Sequence, residues 1–274
     1  GIKDQDTGSS YDGGDGTDTL TISTAVLAAA DFARISNFEI LVIETTGLTQ
    51  DADNFTGTTF QTGAALAAFR IDDLADDSTF NAAHDVATSI TLNRKTDTAS
   101  DAVTINIGGT AGGVSVASII PSTTYETVTI NSQGTAANVL TAVGAVINNM
   151  TFTGATALTV SSTNNITGVV DFTASTANNV VTVTDTTAQT ISFGSGADTL
   201  TASGVVANGE TQIINGGAGG DTITAGNVAA GGTLTINGEA GSDTISYNAA
   251  NTGASVHFVN GGAGIDFITL GQHA

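Results

Sequence analysis

From Asp101 onward, apolar and polar side chains alternate in short runs along the chain. Val, Ile, Leu, Met or Phe occupies every second position, and Thr, Ser or Asn stands between them. The runs are AVTINI, GVSVASI, ETVTIN, NMTFTG, ALTVSS, VVDFTA, VVTVTD and QTISFG. A period of two predicts strands with one buried face, and the glycines and asparagines between the runs predict short turns. No helical pattern separates these runs, so the pattern predicts an all-β fold.

One phrase repeats within this pattern: ISFGSGADTLT, INGGAGGDTIT, INGEAGSDTIS and VNGGAGIDFIT. Its aspartates are Asp198, Asp221, Asp243 and Asp266, at steps of 23, 22 and 23 residues. Short strands with a fixed period and no crossover helices predict a parallel β-solenoid (a β-helix or β-roll) with coils ~4.7–4.9 Å apart. Some seven or eight coils would fit between Asp101 and Ala274, and stacked asparagines at the corners are expected to bond from coil to coil.

The repeated turns follow the pattern G-G-x-G-x-D-x-U-x of calcium-binding β-rolls, two of them with one glycine replaced, and a fifth copy, GGDGTDTLT, stands at Gly13–Thr21. Calcium takes about six to eight oxygen ligands, including carboxylates and backbone carbonyls. Glycine adopts the positive φ that turns carbonyls inward, and aspartate supplies charge. The predicted calcium ligands are Gly13, Gly14, Asp15, Gly16, Asp18, Gly194, Gly196, Asp198, Gly216, Gly217, Gly219, Asp221, Gly238, Glu239, Gly241, Asp243, Gly261, Gly262, Gly264 and Asp266.

Two of the turns depart from the pattern and leave an alternative open. Phe193–Asp198 lacks the first glycine, and Glu239 replaces the second glycine of Gly238–Asp243. A glycine corner without metal is the alternative for all of the turns and is most plausible at these two, although Glu239 could also add a ligand. Stacked without neutralisation, the aspartates would repel one another from coil to coil. Calcium between the turns would turn this repulsion into cross-links, so folding is expected to be coupled to metal.

The amino-acid composition excludes some classes of binding partner for this protein. The 274 residues carry a net charge of −21 with only 11% charged residues, and no Lys or Arg follows Lys95. Apolar residues make up 40%, which is too many for a disordered chain. Nucleic acids and anionic membranes attract basic patches, so neither is expected as a partner. The chain has no cysteine and no apolar run of membrane-spanning length, so no direct membrane insertion is predicted.

The first hundred residues are less regular than the rest. Ser23–Ile35 is Ala-rich and predicts a small helical insert near the N-terminus, whereas Phe38–Glu44 predicts a buried strand. The basic residues stop near Thr96–Asp101, which suggests a division. We therefore predict an N-terminal segment, 1–100, with a calcium motif and irregular β structure, and a calcium-stabilised β-solenoid, 101–274.

The chain resembles the RTX group of secreted bacterial proteins, and more closely the C-terminal part of Caulobacter-type surface-layer proteins. The resemblance rests on the five glycine–aspartate motifs, on the Cys-free repeats ETVTINSQGTAANVLT and ALTVSSTNNITG, and on the link GGDGTDTLTISTAVLAAADFARISNFEILVI. It implies type I export by an uncleaved C-terminal signal, folding on calcium outside the cell, and self-assembly on the bacterial surface. Two features depart from the family: the motifs come once per 22–23 residues rather than in tandem, so the ligand sets differ, and the ending ITLGQHA is short for a secretion signal.

The functional expectation is a calcium-dependent structural protein that binds copies of itself, with cell-surface polysaccharide as a further possible partner. The chain has neither H-E-x-x-H nor G-x-S-x-G, so it is not predicted to be an enzyme. The non-catalytic tail of a secreted enzyme stays an alternative. An adhesin or a sugar- or ice-binding module is another, although the outward Thr pairs of the aspartate repeats break at Phe267/Thr269. His257, in SVHFVN, is expected to be a surface strand residue.

Overall fold

The structure is a computed structural model that describes residues 10–23, 31, 33–52, 55, 57–98, 100–109, 112–122, 125–163, 166–184, 188–247 and 254–270. Its strands, in chain order, are β1 (Tyr11–Asp12), β2 (Thr19–Ile22), β3 (Ile35–Ser36), β4 (Ile40–Ile43), β5 (Thr49–Asp51), β6 (Thr59–Thr62), β7 (Leu66–Leu74), β8 (Ser78–Ala82), β9 (Val86–Arg94), β10 (Ala102–Ile107), β11 (Ser115–Pro121), β12 (Thr127–Ser132), β13 (Asn138–Val143), β14 (Ile147–Thr153), β15 (Leu158–Val160), β16 (Ile166–Asp171), β17 (Val180–Val183), β18 (Thr190–Ser192), β19 (Thr199–Ala202), β20 (Thr211–Asn215), β21 (Thr222–Ala225), β22 (Thr233–Asn237), β23 (Thr244–Tyr247), β24 (Val256–Asn260) and β25 (Phe267–Leu270).

These strands form two long parallel sheets. The even-numbered strands from β2 to β24 form a 12-stranded sheet, called sheet I here. The odd-numbered strands from β5 to β25 form an 11-stranded sheet, called sheet II, while β1 pairs with β3 alone. Because successive strands alternate between the sheets, each pair of strands makes one coil. The predicted parallel β-solenoid is confirmed, with about eleven coils, and the eight strand pairs from β10 to β25 agree with the expected number.

The core lies between the two sheets, where every second side chain points inward. In sheet II, the apolar residue two positions after each turn aspartate stacks on the corresponding residue of the next coil. These residues include Leu200, Ile223 and Ile245, which are at most 1% exposed. On the side of sheet I, Phe152 of β14 and Phe172, directly after β16, stack with ring centroids 4.2 Å apart. Each such side chain contributes roughly 1.5–3 kcal/mol by burial. The alternation in the sequence therefore reports the core correctly.

Asparagine ladders run along the outer face of sheet I. The Asn106 side-chain amide donates to Asn81 Oδ1 at 2.7 Å, and the Asn131 amide donates to Asn106 Oδ1 at 2.9 Å. Further along the stack, the Asn237 amide donates to Asn215 Oδ1 at 2.9 Å. The amides of Asn106 and Asn215 both donate and accept along the axis, as in cross-β stacks. The expected coil-to-coil bonding of asparagines is confirmed.

The N-terminal part joins the same two sheets. Strand β4 fills the centre of Phe38–Glu44 and is buried, as predicted. Residues 45–95 hold β5 to β9, and both sheets continue across residue 100, since β8 pairs with β10 and β9 pairs with β11. The division of the chain at residue 100 stays a prediction. The helical insert at Ser23–Ile35 falls largely outside the described residues, and no helix within the described part is long and apolar enough to cross a membrane.

Candidate metal centre

Four of the five predicted turns stack into one column. Asp198, Asp221, Asp243 and Asp266 each stand directly before a strand of sheet II, in register from coil to coil. We call this set the aspartate column. Asp18 stands instead before β2, a strand of sheet I, so its turn lies where the chain enters the other sheet. The structure therefore brings four of the motifs together and leaves the fifth apart.

Backbone conformation separates the turns into two kinds. In four of them the second and fourth motif positions have positive φ, which non-glycine residues seldom adopt: Gly14 (88°) and Gly16 (123°), Gly217 (90°) and Gly219 (131°), Glu239 (71°) and Gly241 (151°), Gly262 (93°) and Gly264 (137°). Glu239 thus keeps the glycine geometry of its position. Gly194 and Gly196 do not belong to this set, so the turn lacking the first glycine also differs in its backbone.

One oxygen of each carboxylate caps the preceding coil. The backbone N–H of Asp198 donates to Asp221 Oδ1 at 2.8 Å, and that of Asp221 donates to Asp243 Oδ1 at 2.8 Å. The N–H of Asp243 donates to Asp266 Oδ1 at 3.1 Å, and the N–H of Asn179 donates to Asp198 Oδ1 at 2.6 Å. Hydrogen bonds to an ionised acceptor are the stronger kind. The column is thus joined by one carboxylate–amide bond at each step.

The second oxygen of the same carboxylates is buried without a partner. Asp198, Asp221 and Asp243 are at most 2% exposed, and the Oδ2 atom of each is buried and accepts no hydrogen bond. Asp18 Oδ2 is in the same situation. Burial raises the pKa of the Asp198 and Asp243 carboxyls, and it raises the pKa of Asp221 to about 6. The charge of Glu239 adds to the shift at Asp221.

Two asparagines, Asn138 and Asn179, occupy the same column nearer the N-terminus. They show which groups surround the position that Oδ2 takes in the aspartates. In Asn138 and Asn179, Oδ1 accepts a backbone N–H of the preceding coil, as the aspartates do. The other side-chain atom of each asparagine is the donor Nδ2. Asn138 Nδ2 donates to Ile107 O at 2.8 Å and to Gln133 O at 2.9 Å. Asn179 Nδ2 donates to Ala177 O at 2.9 Å. This side of the column therefore presents oxygen acceptors. An aspartate there needs a proton, a cation or another hydrogen-bond donor in place of the amide.

Carbonyl oxygens lie beside the unpartnered carboxylates. The space beside the first glycine of the motif shows this. If Gly216 carried a Cβ atom, that atom would lie 2.8 Å from Asp221 Oδ2 and 2.7 Å from Gly238 O of the next coil. A Cβ on Gly238 would stand 2.5 Å from Asp243 Oδ2 and 2.3 Å from Gly261 O. Because the first glycine of the motif has no side chain, a carboxylate oxygen of one coil and a carbonyl oxygen of the next coil both border the same space. An all-oxygen set of this kind fits a hard cation such as calcium.

Other carbonyls of the turns are already engaged along the stack. The N–H of Ala240 donates to Gly217 O at 2.9 Å, and the N–H of Ala263 donates to Glu239 O at 2.6 Å. The second-position carbonyls thus point toward the next coil. Among the backbone groups of these turns, the first-position carbonyls remain the better candidates for an ion.

A second acidic cluster, which sequence reasoning missed, lies at the edge of sheet I. Carboxylate oxygens of Asp97, Asp101 and Glu126 lie within 4.8 Å of one another. The Arg94 side chain, only 3% exposed, forms ion pairs with Asp97 and Asp101 and lies 3.9 Å from Glu126. The single guanidinium offsets one of the three carboxylate charges, so the cluster could also hold a metal ion. The signal in the sequence was Arg94 followed by aspartates three and seven residues later.

The structure corrects the expectation for His257. Its position pairs with buried Leu234, so the ring faces inward, and it stacks on Tyr247 with centroids 5.2 Å apart. The coil of β24 therefore carries an imidazole where the two coils before it carry Leu234 and Gln212.

Comparison with known proteins finds no protein-family model, no curated protein and no solved structure that matches the chain. The chemistry of the turns is therefore the basis for assigning function.

Proposed function

We propose that this chain is a calcium-dependent structural protein that self-assembles into a bacterial surface layer or extracellular matrix. The observation that carries the proposal is the aspartate column, whose buried Oδ2 atoms have no hydrogen-bond partner. Calcium would be held by the Oδ2 atoms of the column with glycine carbonyls of neighbouring coils, and at Asp18 by a separate site. Glu239, whose charge acts on Asp221, is a further candidate ligand.

The bound ion would supply a positive charge that links consecutive coils. Without it, ionised carboxylates are buried against carbonyl oxygens, and this arrangement is costly. Extracellular modules hold calcium at ~10⁻⁴–10⁻³ M, so the sites would fill outside the cell and stay largely empty in the cytosol. This agrees with the resemblance to RTX and surface-layer proteins, in which export precedes folding on calcium.

The surface of the rod favours a structural role over catalysis. Charged residues are 11% of the chain, and the outward positions of both sheets are mostly Thr, Ser and Asn. Such a surface repeats from coil to coil and suits contact with further copies of the chain or with a neutral cell-surface polysaccharide.

The experiment is electron microscopy and circular dichroism of the purified chain in millimolar calcium, in chelator, and in millimolar magnesium. We expect ordered assemblies and a folded β-spectrum with calcium, and loss of both in chelator. Magnesium is the matched control, because it demands a smaller octahedral site and substitutes poorly. An ordered assembly that persists unchanged in chelator would count against the proposal.

A second candidate function is a binding module for a flat surface such as ice or a crystalline sugar polymer. It is favoured by a column of five threonines in register on the outer face of sheet I: Thr59, Thr79, Thr104, Thr129 and Thr151. This column is more regular than the Thr pairs beside the aspartate column. Thermal hysteresis in solution and pull-down on insoluble polysaccharides test it.

A further inference from the structure

A groove crosses the turns that lead from sheet I to sheet II in the N-terminal half of the rod. Its volume is about 750 Å³, which lies within the range of small-molecule binding sites. It spans four coils, from the turn after β6 to the turn after β12, over roughly 14 Å of the axis. The polar side chains that line it are Gln61, Asn81, His84, Asp85, Gln133 and Thr135. None of them belongs to the aspartate column, so calcium binding there does not account for this groove.

The groove lies where the turns become longer. Three residues separate β6 from β7 and β8 from β9, whereas seven separate β10 from β11 and five separate β12 from β13. The longer turns leave a step beside the shorter ones, and glycine keeps this step open. A Cβ on Gly108 would lie 1.9 Å from Gln133 O, and a Cβ on Gly109 would lie 2.6 Å from Ala83 O. The backbone at these two glycines therefore packs directly on the neighbouring coils, and no side chain from either position fills the space.

The side chains of His84 and Asp85 are held by hydrogen bonds, and each keeps one acceptor atom for a ligand. His84 Nδ1 lies 2.9 Å from Thr62 O, a carbonyl that only accepts, so Nδ1 carries the proton and Nε2 of the neutral ring is an acceptor. Asp85 Oδ1 accepts the backbone N–H of Ser115 at 2.8 Å, which leaves Oδ2 as the second acceptor. Both side chains are exposed and line the groove. A ligand that donates hydrogen bonds would therefore meet preorganised acceptors.

Amide and hydroxyl groups supply the other polar contacts of the groove. Gln61 and Asn81 are in register on sheet I, where they continue the asparagine ladder to the groove. The turn after β12 contributes Gln133 and Thr135. Amides and hydroxyls both donate and accept hydrogen bonds. Among the described residues that line the groove, one carries a carboxylate and none is lysine or arginine, so the groove does not favour an anionic ligand.

We propose that this groove binds a neutral oligosaccharide. Each hydroxyl of a sugar donates and accepts a hydrogen bond, which matches a lining of acceptors and amides without basic groups. The carbon-bound hydrogens of the sugar rings would pack on Ala65, Ala83 and Val114, which also line the groove. A peptide that adds a strand has no place here, because the strands that border the groove, β6 to β13, each pair on both sides. The inference rests on the proposed function only for the source of the ligand, the neutral polysaccharide named there, and it adds the site.

The first test screens the full chain, in millimolar calcium, against an array of neutral and acidic glycans, and then measures the Kd of the neutral glycan that binds best by calorimetry. Asp85→Asn should weaken this binding at least ~10-fold, because asparagine keeps the contact with Ser115 but replaces the acceptor Oδ2 with a donor. Asp171→Asn is the matched control and should bind as the wild type does. Asp171 also accepts a backbone N–H through Oδ1, that of Thr173, and it lies on β16, outside the groove. The proposal is overturned if no neutral glycan binds, if acidic glycans are preferred, or if the two variants bind equally.

The second test locates the site within the molecule. In NMR spectra of the imidazole groups, the same neutral glycan should shift the ring signals of His84 and leave those of the inward His257 unchanged. Gly112→Leu, at a lining position where a Cβ would meet nothing within 4 Å, should keep the fold and lower the affinity at least ~10-fold by filling the groove. Shifts at His257 instead of His84, or undiminished binding by Gly112→Leu, would refute the assignment. If calcium-dependent assemblies form and no neutral glycan binds, only this inference fails; if a glycan binds at the groove and no assembly forms, only the proposed function fails.

Discussion

Replacing Asp221 with asparagine separates the two roles of its carboxylate. Asparagine keeps Oδ1, which accepts the Asp198 N–H, and puts a donor in place of the unpartnered Oδ2, as Asn179 already does in this column. The substitution therefore preserves the cap, removes a buried charge and removes a candidate calcium ligand. Asp221→Asn should be more stable than wild type without calcium and respond less to calcium.

The size of the effect follows from the pKa. Burial raises the Asp221 pKa from 3.8 to about 6, and one pKa unit is about 1.4 kcal/mol, so the ionised side chain costs the metal-free fold about 3 kcal/mol. Because the pKa is higher in the folded state, this group's contribution to stability is complete below about pH 4 and is lost as the pH rises through 6. In chelator at pH 7, Asp221→Asn should therefore gain up to about 3 kcal/mol, or roughly 6–12 °C in Tm. Near pH 4 the gain should vanish.

The assay is thermal unfolding followed by circular dichroism, in chelator and in millimolar calcium, at pH 7 and pH 4. Asn179→Asp is the matched reverse variant, since it installs an unpartnered oxygen in the same column beside Asp198, and it should lose stability in chelator at pH 7. The reasoning is refuted if Asp221→Asn is less stable than wild type in chelator at pH 7, or if its calcium response equals that of wild type.

Further predictions concern pH, the turn backbone and the core. Calcium affinity, measured by calorimetry, should fall between pH 7 and pH 5, because protons compete for the raised-pKa carboxyls; an affinity independent of pH would contradict this. Gly219→Ala should cost about 2–4 kcal/mol, because Gly219 has a φ of 131° and a Cβ would lie 2.2 Å from a carbonyl oxygen of the preceding coil. Gly220→Ala, with no contact closer than 3.2 Å, should cost less than about 1 kcal/mol in the same urea titration. Arg94→Met should cost about 3–5 kcal/mol in chelator as well as in calcium, because it leaves Asp101 buried without its ion pair. Phe172→Ala, which empties a fully buried site between two stacked rings, should cost about 3–5 kcal/mol by denaturant titration.

The fold could be predicted from the sequence because the physical signal repeats. Period-two alternation fixed the strands, and steps of 22–23 residues placed the aspartates in one column, because each coil reproduces the constraints of its neighbour. Positive φ at the second and fourth motif positions was also foreseeable from the glycines. The matching φ at Glu239 was not, since a lone glutamate carries no preference for that region.

The features that could not be predicted from the sequence depend on contacts between residues distant in the chain. The identical motif at Asp18 gave no sign that it opens into sheet I rather than sheet II, because the motif fixes the turn and not the sheet that follows. Engagement of Gly217 O by the next coil is likewise a matter of stacking. The ion pair between Arg94 and Asp101 and the inward orientation of the His257 ring depend on how neighbouring strands are aligned. The residue pattern of a single strand does not determine that alignment.

Calcium binding to the column is the claim on which the rest depends. The most direct measurement is isothermal titration calorimetry of calcium into the full chain at pH 7, compared with Asp198→Asn/Asp221→Asn/Asp243→Asn. We predict saturable binding by the wild-type chain in the range of ~10⁻⁴–10⁻³ M, and loss of those sites in a triple variant that remains folded. Absence of binding at millimolar calcium, or equal binding by both proteins, would contradict the account.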